Sequence, residues 1–464
     1  MAASTEKYAE VIEMTSEPVT PSAGSEVGLV ILTAEPDQVP DNVQELPPMD
    51  GGWQAWLFIS ASFVVEMLVW GFVFSYGIFQ AYYTSHPPYQ GKSAVAIAAV
   101  GPVAIAFQYV EALLLSFILG RYPELHKPMM WSGLILVSGS LLLSSFVSQV
   151  EILILLQGVF LGIGSGMMYW PSLFLVPDWF TRRRGLATGI VFAGSGVGGF
   201  VFPFIVQALL DGVGFRWTLR IWAAIMAVCG GLAIPGVRRR IPIQSHIPGQ
   251  KRLRLIPRNL QFIHNPLFWA FSFSILLQAM SYFPVSLYIS VFTTTISSPL
   301  SASIVLALFN SSGVIGQILI GYLTDRMPYP QLMVISTLGS SIAAFLLWGF
   351  ADTLGRVFAF AIIFGGLGGG FSSVISAGSF ESAGANPEQA PMAISAVFVS
   401  KGIAAFVGPI LSGILLEAGK SAAFGGRYGK FGFGPVEIFV GTCAAATSVS
   451  SLAVAAMRPR LNTM

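Results

Sequence analysis

Residues 179–199 read Trp179-Phe180-Thr181-Arg182-Arg183-Arg184-Gly185-Leu186-Ala187-Thr188-Gly189-Ile190-Val191-Phe192-Ala193-Gly194-Ser195-Gly196-Val197-Gly198-Gly199. Three arginines stand at the edge of a long apolar run rich in glycine. A run of that length reads as a helix crossing a bilayer, and a block of arginine beside it reads as its cytoplasmic flank. Its small residues let such a helix lie close against a neighbour or border a cavity. The composition agrees. Of 464 residues, 54% are hydrophobic and only 10% charged, with a mean hydropathy of +0.72, whereas a soluble domain carries about 25% charged residues. Most of the chain therefore has lipid as its solvent.

The net charge of +2 conceals an asymmetry: residues 1–50 hold ten of the 22 acids and one base, Lys7. That stretch is poor in aromatics and contains Pro18, Pro21, Pro36, Pro40, Pro47 and Pro48, a composition that cannot bury enough apolar surface to fold alone. Residues 1–49 are therefore expected to be a disordered acidic cytoplasmic tail. They lack the basic start and short apolar core of a signal peptide. The basic excess of the remainder lies mostly in loops and does not call for nucleic acid. Cys229 and Cys443 both fall in apolar runs and read as lone core thiols.

Beyond Gly51, twelve apolar segments are long enough to span, each needing about 20 residues. They cover 54–79, 94–119, 129–148, 152–175, 185–210, 217–236, 267–291, 300–323, 331–350, 355–379, 392–416 and 435–457. With the N-terminus inside, fifteen lysines and arginines fall on the inner side and six on the outer, so both termini are expected to be cytoplasmic. A basic stretch, 237–266, separates residues 50–236 from residues 267–457, with 458–464 as a cytoplasmic tail. The halves echo each other: Gly162-Ile163-Gly164-Ser165-Gly166 in segment 4 answers Gly365-Gly366-Leu367-Gly368-Gly369-Gly370 in segment 10. Parallel six-helix repeats give that order and place a binding site between them near mid-membrane. The expected fold is all-α, with twelve transmembrane helices in two six-helix bundles.

Asp50-Gly51-Gly52-Trp53-Gln54-Ala55-Trp56 resembles the signature that opens helix 1 in the monocarboxylate transporter family of the major facilitator superfamily, in its fungal form. Trp179 to Gly199 is similar to that family's second signature, and Gly321-Tyr322-Leu323-Thr324-Asp325-Arg326 to the superfamily's inner-loop motif. The resemblance covers residues 50 to about 457. It implies alternating access by two rocking bundles, often with a proton coupled to a carboxylate. The chain departs from the animal lactate carriers in lacking a lysine between Gly51 and Gln80 and in having no charge in Phe309-Asn310-Ser311-Ser312-Gly313, where those carriers have an aspartate–arginine pair. Their lactate chemistry is not carried over.

An ionisable side chain inside a membrane helix costs a few kcal/mol and is a functional candidate by default. Glu66 and Glu111 are candidate proton carriers, or neutral acids bonded to neighbouring helices. Lys401 is a candidate contact for a substrate carboxylate, a partner for a glutamate, or a side chain reaching to the interface. Arg220 reads as an interface anchor. Tyr76, Tyr169, Gln278, Tyr282 and Asn310 lie on segments 1, 4, 7 and 8, which line the cavity in this superfamily; they are candidates to hold a planar solute, or packing residues. Asp178, Arg182, Arg183, Asp325 and Arg326 are candidate gate residues as well as orientation signals. No catalytic group, metal cluster or cofactor motif is found. Gly194–Gly199 follows no strand and so fails as a phosphate loop.

The expectation is thus a plasma-membrane carrier, monomeric, moving a small organic solute of monocarboxylate type with proton coupling or by facilitated diffusion. Export of a secondary metabolite or other aromatic compound is the first alternative, and a non-transporting nutrient sensor the second.

Overall fold

The structure, a computed structural model, describes residues 46–241, 254–255, 260–384, 389–421 and 428–458. Nearly all of the acidic tail, most of the 237–266 connection and the tail beyond Arg458 lie outside the described residues. Among the described residues every regular element is a helix. The first set comprises α1 (Gly52–Phe74), α2 (Tyr76–Ser85), α3 (Ala94–Arg121), α4 (His126–Ser144), α5 (Val150–Leu153), α6 (Leu161–Phe174), α7 (Val176–Trp179) and α8 (Arg184–Ala233). The second comprises α9 (Pro266–Ile296), α10 (Pro299–Thr324), α11 (Tyr329–Ile342), α12 (Leu354–Gly370), α13 (Ile375–Ser382), α14 (Ala390–Ser421) and α15 (Gly434–Met457).

Local chemistry sets several boundaries. Asn265 and Ser298 cap α9 and α10 by accepting the amides of Leu267 (3.0 Å) and Ser301 (3.3 Å), and each is followed by a proline whose missing N–H costs nothing in a first turn. The 50-residue α8 is two helices that meet at a kink: Gly214 takes φ 71° and ψ 170°, a conformation that glycine adopts without strain. Ten helical stretches among the described residues are long and apolar enough to cross a membrane, one of them running the whole way from Arg184 to Gly236. The shorter α4 adds another apolar rod.

The exterior is apolar: Ile135, Leu232, Ile315 and Val449 are each more than 65% exposed, as a lipid-facing surface requires. Helices α1–α8 pack among themselves, as do α9–α15, and the two sets meet chiefly along two seams, α8 against α10 and α3 against α14.

The glycines of residues 185–199 explain the first seam. Gly194 and Gly198, four residues apart, lie against the backbone of α1, where a methyl on Gly198 would stand 2.6 Å from the Met67 carbonyl. Gly185, Gly189, Gly196 and Gly199 face α10 instead, and methyls there would run into Gly321, Gln317, Val314 and Asn310. One helix thus holds two partners at backbone distance, which only residues this small permit.

Candidate functional site

Between the two sets lies a cavity of about 40 Å³, bordered by Glu66, Trp70, Tyr109, Tyr169, Phe192, Ser195, Tyr282, Gln317, Ser372, Phe398 and Lys401. That is room for a few waters and less than a solute needs, so the site is contracted.

Glu66 and Lys401 face this space from opposite sides, α1 and α14. Glu66 is 3% exposed, has the Tyr169 and Ser195 hydroxyls within hydrogen-bonding reach, and has one carboxyl oxygen, Oε2, with no partner. The Lys401 ammonium donates to the Ser372 hydroxyl at 3.0 Å and stands 5.6 Å from the centre of the Phe398 ring. The acid and the base act on each other electrostatically, and no ion pair joins them among the described residues. Helical spacing explains the lining: Trp70 follows Glu66 by four residues and Phe398 precedes Lys401 by three, so each shares its neighbour's face. Rings complete the wall. Trp70 and Tyr109 have centroids 5.0 Å apart, and Tyr109 stacks on Phe398 at 6.0 Å across the α3–α14 seam.

Of the residues singled out in the sequence, Glu66, Tyr169, Tyr282 and Lys401 come together here. Others lie elsewhere. The Tyr76 hydroxyl donates to the Ile97 carbonyl at 2.5 Å within its own set. The Gln278 amide donates to the Gly368 carbonyl at 2.9 Å. Asn310 joins the two sets, its amide donating to the Gly199 carbonyl at 3.0 Å. The Glu111 carboxyl fills the space that a side chain at Gly166 would take, between α3 and α6 and away from the cavity. Arg220 donates to the Ser145 hydroxyl at 3.1 Å and lies over Phe146 and Trp217.

Sequence reading missed Trp70, Tyr109, Phe192, Ser195, Gln317, Ser372 and Phe398. Stepping three and four residues from each intramembrane charge would have found Trp70 and Phe398. The others carry no local signal, because they reach the cavity only through tertiary packing.

A second cluster closes the basic face. The Asp325 carboxylate, just past α10, accepts the amides of Gly185 (2.6 Å) and Leu186 (2.8 Å) in the first turn of α8. Burial lifts this carboxyl above its ordinary value, and the two amides pull it back in part. The Arg184 guanidinium sits 4.0 Å from the centre of the Phe380 ring in the second set.

Asp50 latches the start of α1 to the segment just before α8. Its carboxylate accepts the Thr181 amide (2.8 Å), the Thr181 hydroxyl (2.7 Å) and the Arg183 amide (3.0 Å). Partial burial opposes the charge there, but the donors at Arg183, Thr181 and Arg182 together hold the carboxyl below its ordinary value. The Arg182 and Arg183 side chains are exposed. Asp178 has Arg239 and Arg240 as its electrostatic partners, and Arg326 lies over Tyr322.

Two sets of membrane-length helices around a central polar cavity, shut at one face by contacts between the sets, define a polytopic membrane transporter. The chain belongs to the Major Facilitator Superfamily, whose family model matches residues 61–297 and 279–446. It is similar to the Aspyridones efflux protein apdF of Emericella nidulans, 26% identical over 86% of this chain and 77% of the relative. It is likewise similar to the MFS transporter asaE of Aspergillus flavus, 28% identical over 74% and 76%, and to the Fujikurins efflux protein of Gibberella fujikuroi, 26% identical over 71% and 70%. Among solved structures, the transporter FucP in the outward conformation matches with a TM-score of 0.62 at 12% identity, over 86% of this chain and 98% of that one.

Proposed function

We propose that this transporter moves a small aromatic organic acid by alternating access, with a proton as the coupled ion. The observation that carries the reading is the placement of Glu66 and Lys401, on different halves of the molecule, in one ring-lined cavity. A lone charge at this depth costs a few kcal/mol. In the empty carrier the Glu66 carboxylate balances Lys401. A solute carboxylate arriving at Lys401 removes that balance, and Glu66 then takes up a proton. Proton and anion therefore travel together. Glu111, outside the cavity, has a packing role in this reading.

The α8 helix divides at Gly214, and with α4 the chain crosses the membrane twelve times, six on each side of the 237–266 connection. The basic face, carrying Arg182–Arg184 and both termini, is cytoplasmic, and the molecule is a plasma-membrane monomer close to the fungal monocarboxylate transporters. The Asp325–Gly185 contact is the cytoplasmic gate, closed in this structure. A second reading, export of an aromatic metabolite against protons, is supported by the rings around the cavity and by the relatives named as Aspyridones and Fujikurins efflux proteins.

Counterflow in proteoliposomes tests the choice with a panel of monocarboxylates and planar aromatic metabolites. Exchange of aromatic acids that saturates and requires Lys401 supports the carboxylate reading. Exchange confined to uncharged aromatics, indifferent to Lys401→Gln, sinks it in favour of the second.

A further inference from the structure

Gln317 is a polar side chain of the cavity that the proton and the anion leave unused. It lies on α10, 7% exposed. Its main-chain carbonyl is occupied by the Ser373 hydroxyl at 2.7 Å, but its side-chain Oε1 has no partner and is shielded from solvent. A buried acceptor without a donor is a standing cost in the empty protein, and it is relieved by a donor on whatever enters. Lys401, with one of its three N–H groups on Ser372, supplies the opposite chemistry, donors for an anion. Trp70, Tyr109 and Phe398 border the same cavity.

We infer that Gln317 determines specificity by accepting a hydrogen bond from the solute, so that the preferred cargo is an aromatic carboxylate bearing its own hydroxyl or N–H group. This rests on the carboxylate reading above and narrows it. A plain aromatic acid satisfies Lys401 and the rings but leaves the Gln317 oxygen unpaired. Sites built to bond a substrate hydroxyl reject the analogue lacking it far more strongly than apolar pockets reject an added group.

The test uses the full-length protein in proteoliposomes, with benzoate and the three hydroxybenzoates as labelled probes in counterflow. In the wild type the best hydroxybenzoate is expected to exceed benzoate at least tenfold in kcat/KM. Gln317→Met, close in volume and unable to accept the bond as well, is expected to bring the ratio within twofold. An unchanged melting transition of the purified protein shows that the variant folds, and Gln317→Leu substitutes if it does not. Equal rates for benzoate and all three hydroxybenzoates in the wild type overturn the inference while leaving the carboxylate reading intact. So does a ratio unchanged in the variants. Exchange of none of the four probes overturns the inference and the carboxylate reading together.

Discussion

Asp325 closes the basic face by capping a helix that belongs to the other half of the molecule: both of its carboxylate oxygens accept amides, from Gly185 and Leu186, at the start of α8. Two facts make this a joint that can open. The bonds run between the two sets of helices, and they use a charge where a helix start presents free N–H groups. Rocking the halves apart breaks both at once and returns the groups to water.

Asp325→Asn keeps one acceptor and loses the charge. Removing a charge-assisted bond costs about 1.5–3 kcal/mol, so the population open at this face rises at least about tenfold. A cysteine placed at Thr188, which is 0% exposed and shares the helix face of Gly185 three residues earlier, is then expected to react correspondingly faster with a membrane-impermeant thiol reagent applied from that side. An unchanged rate would show that the capping bonds do not hold the gate.

The glycine seam predicts a block of the opposite kind. A side chain at Gly189 meets the Gln317 main-chain carbonyl, and backbone is not free to move aside. Gly189→Val is expected to fold, since the obstruction lies between the halves rather than inside one. Transport should fall more than tenfold, with the basic face trapped open to the same thiol reagent. Retained wild-type exchange would mean that the seam need not close during the cycle.

Asp50 predicts a pH dependence. Its carboxyl is held below the ordinary value of 3.8, so the folded state favours the charged form. The stabilisation is complete above that ordinary value and is lost as pH falls through the lowered one. Asp50→Ala is expected to cost about 1 kcal/mol at neutral pH, in the range of a helix-cap deletion. The gap in melting temperature between wild type and variant should be constant from about pH 8 to pH 5 and shrink toward pH 3. A gap that widens on acidification would contradict the assignment of the bonds.

Glu111 separates burial from function. Its carboxyl occupies the notch at Gly166, away from the cavity. Glu111→Gln has the same shape and is expected to leave transport and its pH dependence within about twofold of wild type, an isosteric exchange being mild where nothing is charged in the mechanism. Loss of proton coupling in this variant would move the proton carrier from α1 to α3.

The sequence made the helical character plain because lipid imposes a long apolar run on every crossing. It also separated residues 185–210 from 217–236, and Gly214, between them, is where α8 breaks. The site was half legible. Glu66 and Lys401 stood out because charge is rare at that depth, while Tyr76, Gln278 and Asn310 looked equally suitable and turned out to bond Ile97, Gly368 and Gly199. Which face of an apolar helix looks inward depends on its neighbours, because a uniformly apolar run has no polar side to betray it. The glycines of residues 185–199 signal close packing. Their division between α1 and α10 became visible only once both partners were in place.

The most direct measurement is uptake of a labelled aromatic carboxylate into proteoliposomes under an imposed inward proton gradient, comparing wild type, Glu66→Gln and Lys401→Gln. The account predicts that the wild type accumulates the solute above equilibrium and loses that accumulation when the gradient is collapsed. Glu66→Gln should still exchange the solute but no longer concentrate it, and Lys401→Gln should lose both. Concentration by Glu66→Gln equal to that of the wild type would contradict the pairing of these two residues as the coupling element.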